Sequence, residues 1–178
     1  GNSSWASREF VSVGTRPIVS PRVDQTDLPR GVSIPFQRRG SVLVVQATLN
    51  DRVSGSFIVD TGASSTMISR TMADRLGMDL GKKHPTIPVQ TVGGLIHVPL
   101  VVLDSMEIGG FKVKDLTAAV HDIFPDPAIA GLLGQNFLSH FRLEIDNPKG
   151  VLVLESKAVP TMEGAREKAP RRTESRPD

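Results

Sequence analysis

Turn signals follow one another so closely between residues 42 and 121 that strands, not long helices, must fill the gaps. Val42 to Leu49 is rich in Val and alternates in polarity. Asn50-Asp51-Arg52 then supplies a turn, and Val53 to Asp60 returns as a second strand. Pro88 to Thr91 and Leu95 to Leu103 flank Gly93-Gly94, a second hairpin. Val101 to Ile108 and Phe111 to His121 flank Gly109-Gly110, a third, and Gly150 to Glu155 reads as a short late strand. Strands at this spacing argue for an all-β sandwich or barrel and against an alternating βαβ fold. Two short segments have helical character. Ser69 can cap the first, with Met72, Ala73 and Leu76 on one face and Gly77 to end it; the second covers about Gln135 to His140.

The pattern divides the chain into three parts. Residues 1–30, with Pro17, Pro21 and Pro29 and no sustained periodicity, read as a flexible linker. Residues 31–158 carry the folded domain. Residues 159–178 read as a disordered charged tail: from Glu163 to Asp178 five basic and four acidic residues are mixed with Pro170 and Pro177, too little apolar surface to offset the entropy of ordering. A chain of 178 residues is long enough to bury a core without cross-links, and it has no Cys to make them. It opens on Gly1 rather than Met, which reads as a processed or excised start, with a signal or membrane tether lying outside the chain.

Composition removes several classes of function. With 21 Lys+Arg against 19 Asp+Glu, interleaved, there is no electrostatic footprint for nucleic acid, and one Trp, seven Phe and no Tyr leave little to stack bases on. His84, His97, His121 and His140 lack paired spacing, so neither a metal nor any other cofactor is expected. There is no Gly-x-Ser-x-Gly and no phosphate-binding loop.

One segment carries chemistry. In Phe57-Ile58-Val59-Asp60-Thr61-Gly62-Ala63-Ser64-Ser65 an apolar strand runs into an acid, a small hydroxyl residue and Gly. A carboxylate is thereby set at the end of a buried strand, on a tight turn that Gly62 permits. The Gly93-Gly94 hairpin follows, and then Ile129-Ala130-Gly131-Leu132-Leu133-Gly134-Gln135-Asn136-Phe137-Leu138, where an apolar strand gives way to a short helix.

In the order of these parts the chain resembles the retropepsin-like aspartic proteases, over about residues 35–157, and looks closest to the bacterial branch of that clan. The resemblance implies an all-β, closed barrel-like fold with one or two short helices, a flap hairpin and a psi-loop. It implies an aspartic endopeptidase in which an Asp-activated water attacks a peptide or protein substrate. Asp60, Thr61 and Gly62 would be catalytic, with Thr61 bonding its mate across a two-fold axis. Ala63, Ser64, Val92, Gly93, Gly94, Leu95 and Leu132 would contact substrate. Gly131 would let its strand pass close under the catalytic loop.

The chemistry needs two carboxyl groups about 3 Å apart that share one proton, because like charges that close cannot both ionise. Asp104-Ser105-Met106 and Asp146-Asn147-Pro148 do not repeat the motif, so the second acid is expected from a second copy of the chain: a homodimer with one Asp60 from each protomer. The rival reading is a binding or scaffold dimer that keeps the fold without turnover. Self-processing through the N-terminal arm, and a place in the bacterial cell envelope or periplasm, are further expectations from the resemblance.

Two departures from the retroviral pattern are coupled. Retroviral enzymes usually carry an acid where Ser64 stands and an Arg where Gln135 stands, and the two pair. Here both are neutral, so the pair is either replaced by uncharged hydrogen bonding or absent. Ala63 also lacks the hydroxyl that pepsin-like enzymes place there to favour the charged carboxylate, which shifts the expected optimum to mildly acidic pH.

Overall fold

The computed structural model describes residues 17–23, 31–91, 93–122 and 124–157. In chain order the elements are β1 (Arg22–Val23), β2 (Val32–Pro35), β3 (Gln37–Arg39), β4 (Val42–Leu49), β5 (Val53–Val59), β6 (Thr66–Ile68), α1 (Arg70–Arg75), β7 (Thr86–Thr91), β8 (Gly94–Ile108), β9 (Phe111–Val120), β10 (Ile129–Leu133), α2 (Gln135–Leu138), β11 (Phe141–Asp146) and β12 (Val151–Ser156). The chain is mostly strand, as its turn spacing requires.

Local chemistry explains the hairpins. Between β4 and β5, Asn50 and Asp51 take left-handed backbone with φ of 50° and 58°, which their short polar side chains tolerate, and Arg52 N–H closes the turn on the Leu49 carbonyl at 3.1 Å. The second and third expected hairpins share one long strand. The first part of β8 pairs with β7 (Thr91↔Gly94 to Thr86↔Pro99), and from Leu100 onward β8 pairs with β9. The two overlapping strand readings around 95–108 therefore merge into one 15-residue strand. Helix α1 is capped as expected, Ser69 Oγ accepting the Met72 N–H at 3.1 Å, and it buries Met72 and Ala73.

The pairings around β9, β6, β10, β5, β4 and β8 return to β9 and close a circuit. The closure between β4 and β8 rests on two residue pairs only, Thr48↔Glu107 and Leu49↔Met106, so the sheet is barrel-like rather than a strict barrel. A second, three-stranded sheet runs β11-β12-β2. Phe111 of β9, Phe137 of α2 and Phe141 of β11 join the two sheets, with ring centroids 5.0 and 5.3 Å apart, all three buried.

Most of the segment read as a linker, and the whole tail 159–178, lie outside the described residues. Within the linker, Arg22 and Val23 pair with Lys114 and Val113 of β9, and the Arg22 guanidinium sits 3.2 Å from the Asp115 carboxylate. Among the described residues no helix is long and apolar enough to cross a membrane.

Candidate active site

The arrangement that positions Asp60 is non-local. Strand β10 enters between β5 and β6, parallel to the first and antiparallel to the second, with Leu132 opposite both Ile58 and Met67. The chain from β5 to β6, which carries Asp60 to Ser65, must loop over the end of β10, giving the psi shape. Two glycines make the insertion possible. A Cβ on Gly131 would lie 2.0 Å from the Met67 carbonyl oxygen and 2.8 Å from the Phe57 ring. One on Gly134 would lie 2.3 Å from the Ser65 carbonyl carbon. Side chains at either place would push β10 out from under the loop.

The loop is held by hydrogen bonds at each step. Asp60 N–H donates to the Leu133 carbonyl at 3.1 Å, which fixes the acid to the end of β10. Asp60 Oδ1 accepts the Gly62 N–H at 2.9 Å. Gln135 and Asn136 backbone N–H groups donate to the Ala63 and Ser64 carbonyls at 2.7 and 3.2 Å. The Gln135 side-chain amide donates to the Thr61 carbonyl at 2.7 Å. The Ser64–Gln135 position is thus a case of uncharged hydrogen bonding, made by Gln135 to loop backbone rather than to the Ser64 side chain.

Beneath the loop lies a buried polar knot that sequence reasoning missed. Thr66, with no exposed surface, donates its N–H and its hydroxyl to Asn136 Oδ1 at 2.7 and 2.8 Å. The same hydroxyl accepts the Gly134 N–H at 3.2 Å, and Asn136 Nδ2 donates to the Thr117 carbonyl at 2.7 Å. Nothing local in the sequence marks Asn136, because its partners lie 70 and 19 residues away.

The expected substrate residues fall into three places. Thr61, Gly62 and Ser64 are exposed on the loop, with Asp60 and Ala63 partly covered. Gly93, Gly94 and Leu95 sit at the tip of the β7–β8 hairpin, where Thr91 Oγ1 donates to the Gly94 carbonyl at 2.8 Å and Leu95 is 62% exposed. Val92 lies outside the described residues. Leu132 is buried, in an apolar cluster with Val44, Ile58, Met67, Val98, Ala119 and Ile129. Ala63, Phe124 and the hairpin residues Ile87, Val89 and Ile96 pack against that cluster, so the hairpin and the floor of the catalytic loop share one apolar surface. Beside Asp60 a groove of about 440 Å³ is bounded by Ile58, Thr61, Phe124, Leu143, Ile145 and Arg38. Phe124, Leu143, Ile145 and Arg38 come from loops and strands remote in sequence, and no motif announced them.

Other acids are placed elsewhere. Asp104 is exposed on β8. Asp146 ends β11, where the Lys149 ammonium, 3.0 Å away, holds its carboxyl below the usual range. Among the described residues no hydrogen bond joins Asp60 to a second carboxylate, and no cluster of His, Cys, Asp and Glu is suited to a metal ion.

A strand-end carboxylate thus sits on a psi-shaped loop, and the β7–β8 hairpin packs on the apolar cluster that holds Ile58 and Leu132. The profile of the aspartyl protease family matches residues 45–137, more than half of the chain. The chain belongs to the aspartyl protease family. The structure of the protease is similar to that of a retropepsin-like aspartic protease from Rickettsia conorii, with a TM-score of 0.58 and 28% identity, covering 77% of this chain and 94% of that one. No match was found among curated proteins. The protease is therefore an aspartic-type endopeptidase of retropepsin-like, all-β fold.

Proposed function

We propose that the protease hydrolyses peptide bonds as a homodimer, with Asp60 of each protomer contributed to one site on the two-fold axis. The observation that carries this reading is the single strand-end carboxylate on an exposed, tightly braced loop. One such acid cannot both activate water and donate to the substrate carbonyl. Two that share a proton can. The bracing through Leu133, Gln135 and Asn136 fixes the loop before its twin arrives, so little ordering entropy is lost on pairing.

In the paired site the ionised Asp60 takes a proton from water while the water oxygen attacks the scissile carbonyl carbon. The protonated Asp60 hydrogen-bonds the carbonyl oxygen and gives it its proton as the tetrahedral intermediate forms. On collapse one gem-diol hydroxyl returns its proton to the second Asp60 as the C=O re-forms and the C–N bond breaks, and the proton held by the first carboxyl passes to the leaving amine. Thr61, exposed on the loop, would meet its mate, and the Gly62 backbone and the Gly93-Gly94 hairpin tip would pair with an extended peptide as an added strand. The apolar surface shared by Ile58, Leu132, Ile87 and Ile96 suits apolar side chains next to the cleaved bond.

The test is cleavage of a peptide library by the wild-type chain and by Asp60→Asn, with dimerisation followed by sedimentation. Cleavage that Asp60→Asn abolishes while the dimer persists supports the reading. Mixed wild-type and Asp60→Asn chains should lose activity faster than linearly with the mutant fraction. A strictly linear loss would show that each chain works alone.

A further inference from the structure

The groove beside Asp60 also holds a guanidinium that, among the described residues, has no acid partner. Arg38, exposed on β3, borders the same 440 Å³ groove as Asp60. Its Nη2 donates to the Asn147 side-chain carbonyl at 2.6 Å, a neutral partner. Four other described arginines have an acid partner: Arg39 with Asp126 at 2.5 Å, Arg22 with Asp115 at 3.2 Å, Arg70 with Asp122 at 3.9 Å and Arg142 with Glu155 at 4.0 Å; Arg52 and Arg75, which do not line the groove, have no such pair among the described residues. Among the described residues Arg38 has no such ion pair.

The groove that Arg38 and Asp60 share is lined largely by apolar side chains, among them Leu43, Ile58, Phe124, Leu143 and Ile145, with Ser41, Thr61 and Asn147 as its other polar residues. Apolar walls lower the local dielectric and strengthen any charge pairing made there. An extended peptide spans about 3.3 Å per residue, so a chain lying along the groove brings residues near the cleaved bond past its lining. A guanidinium fork lining the same groove as the reacting carboxylate matches a planar carboxylate held bidentately.

We propose that Arg38 is a specificity-determining residue that selects substrates carrying a Glu or Asp within four residues of the cleaved bond. Asn147 holds the guanidinium over the groove, and the apolar walls accept the residues between. The inference rests on the proteolytic reading of Asp60 and adds a charge preference to it.

The experiment compares peptides matched except for Glu, Gln or Lys at each position within four residues of the cleaved bond, using the wild-type chain, Arg38→Gln and Arg38→Glu. At one position the wild type should cut the Glu peptide about tenfold better than the Lys peptide in kcat/KM. Arg38→Gln should flatten that ratio and Arg38→Glu reverse it. The change should fall on KM more than on kcat. Direct binding of the same peptides to Asp60→Asn should show the same Glu preference without turnover, and Asp60→Asn combined with Arg38→Gln should lose it.

Unchanged Glu-to-Lys ratios in the Arg38 variants would overturn the proposal while leaving proteolysis intact. So would an equal loss on all peptides, which would make Arg38 a structural or dimer residue. If nothing is cleaved but the binding preference follows Arg38, the proteolytic reading fails and the charge selection stands. If nothing is cleaved and binding ignores charge, both fall.

Discussion

Replacing Asn136 by Ala should unfold the catalytic loop more readily than any surface change near it. Three hydrogen bonds of 2.7, 2.8 and 2.7 Å are lost together. The Thr66 N–H and hydroxyl lose their acceptor in a residue with no exposed surface, and the Thr117 carbonyl loses a donor. At about 1–2 kcal/mol for each of the three orphaned groups the sum is about 3–6 kcal/mol, a large share of the roughly 5–15 kcal/mol that holds a domain folded. Denaturant unfolding of the wild type, Asn136→Ala, Thr66→Val and the double variant measures it. Thr66→Val alone orphans the Gly134 N–H and should cost about 1–2 kcal/mol. In the double variant the hydroxyl left without its acceptor is gone, so the combined loss should fall short of the sum by about 1 kcal/mol. A loss below about 1 kcal/mol for Asn136→Ala, or strict additivity, would refute the claim that this knot braces the loop.

Gly131→Ala should yield little folded protein, because the added Cβ overlaps the Met67 carbonyl oxygen at 2.0 Å and backbone cannot swing aside; a circular dichroism melt equal to wild type would contradict this. His140 has its ring Nε2 buried without a hydrogen-bond partner. Burial lowers its pKa, a backbone hydrogen bond with Asn136 partly offsets this, and the nearby Lys157 charge lowers it further. The unfolded chain therefore binds a proton more readily, so stability should fall as pH drops from about 6.5 toward the depressed folded value and level off below it, and His140→Gln should weaken that drop in melts between pH 5 and 7.5. Cleavage rate should peak at mildly acidic pH, since Ala63 has no hydroxyl to favour the charged carboxylate; a maximum below about pH 3 would count against the shared-proton pair. Ser69→Ala should lower stability by about 1 kcal/mol through loss of the 3.1 Å cap on Met72 N–H, read from the unfolding midpoint.

Much of this protein is written in short stretches of sequence. Asn50-Asp51 turns the first hairpin, Ser69 and Gly77 bracket α1, and the Phe57-to-Gly62 run sets an acid at a strand end. Each depends on neighbours a few residues away, so the residue types alone report it. The three-residue β6 is too short to show a period, and β11, with Glu144 and Ile145 both exposed, has no clean alternation to read. Only the tertiary structure decided that β10 would slide between β5 and β6. The same folding brought Asn136 under Thr66 from 70 residues away and set Arg38 and Phe124 around one groove with Asp60. Those contacts form when distant strands pack, and their stabilisation comes from burial and hydrogen bonds that no single segment contains.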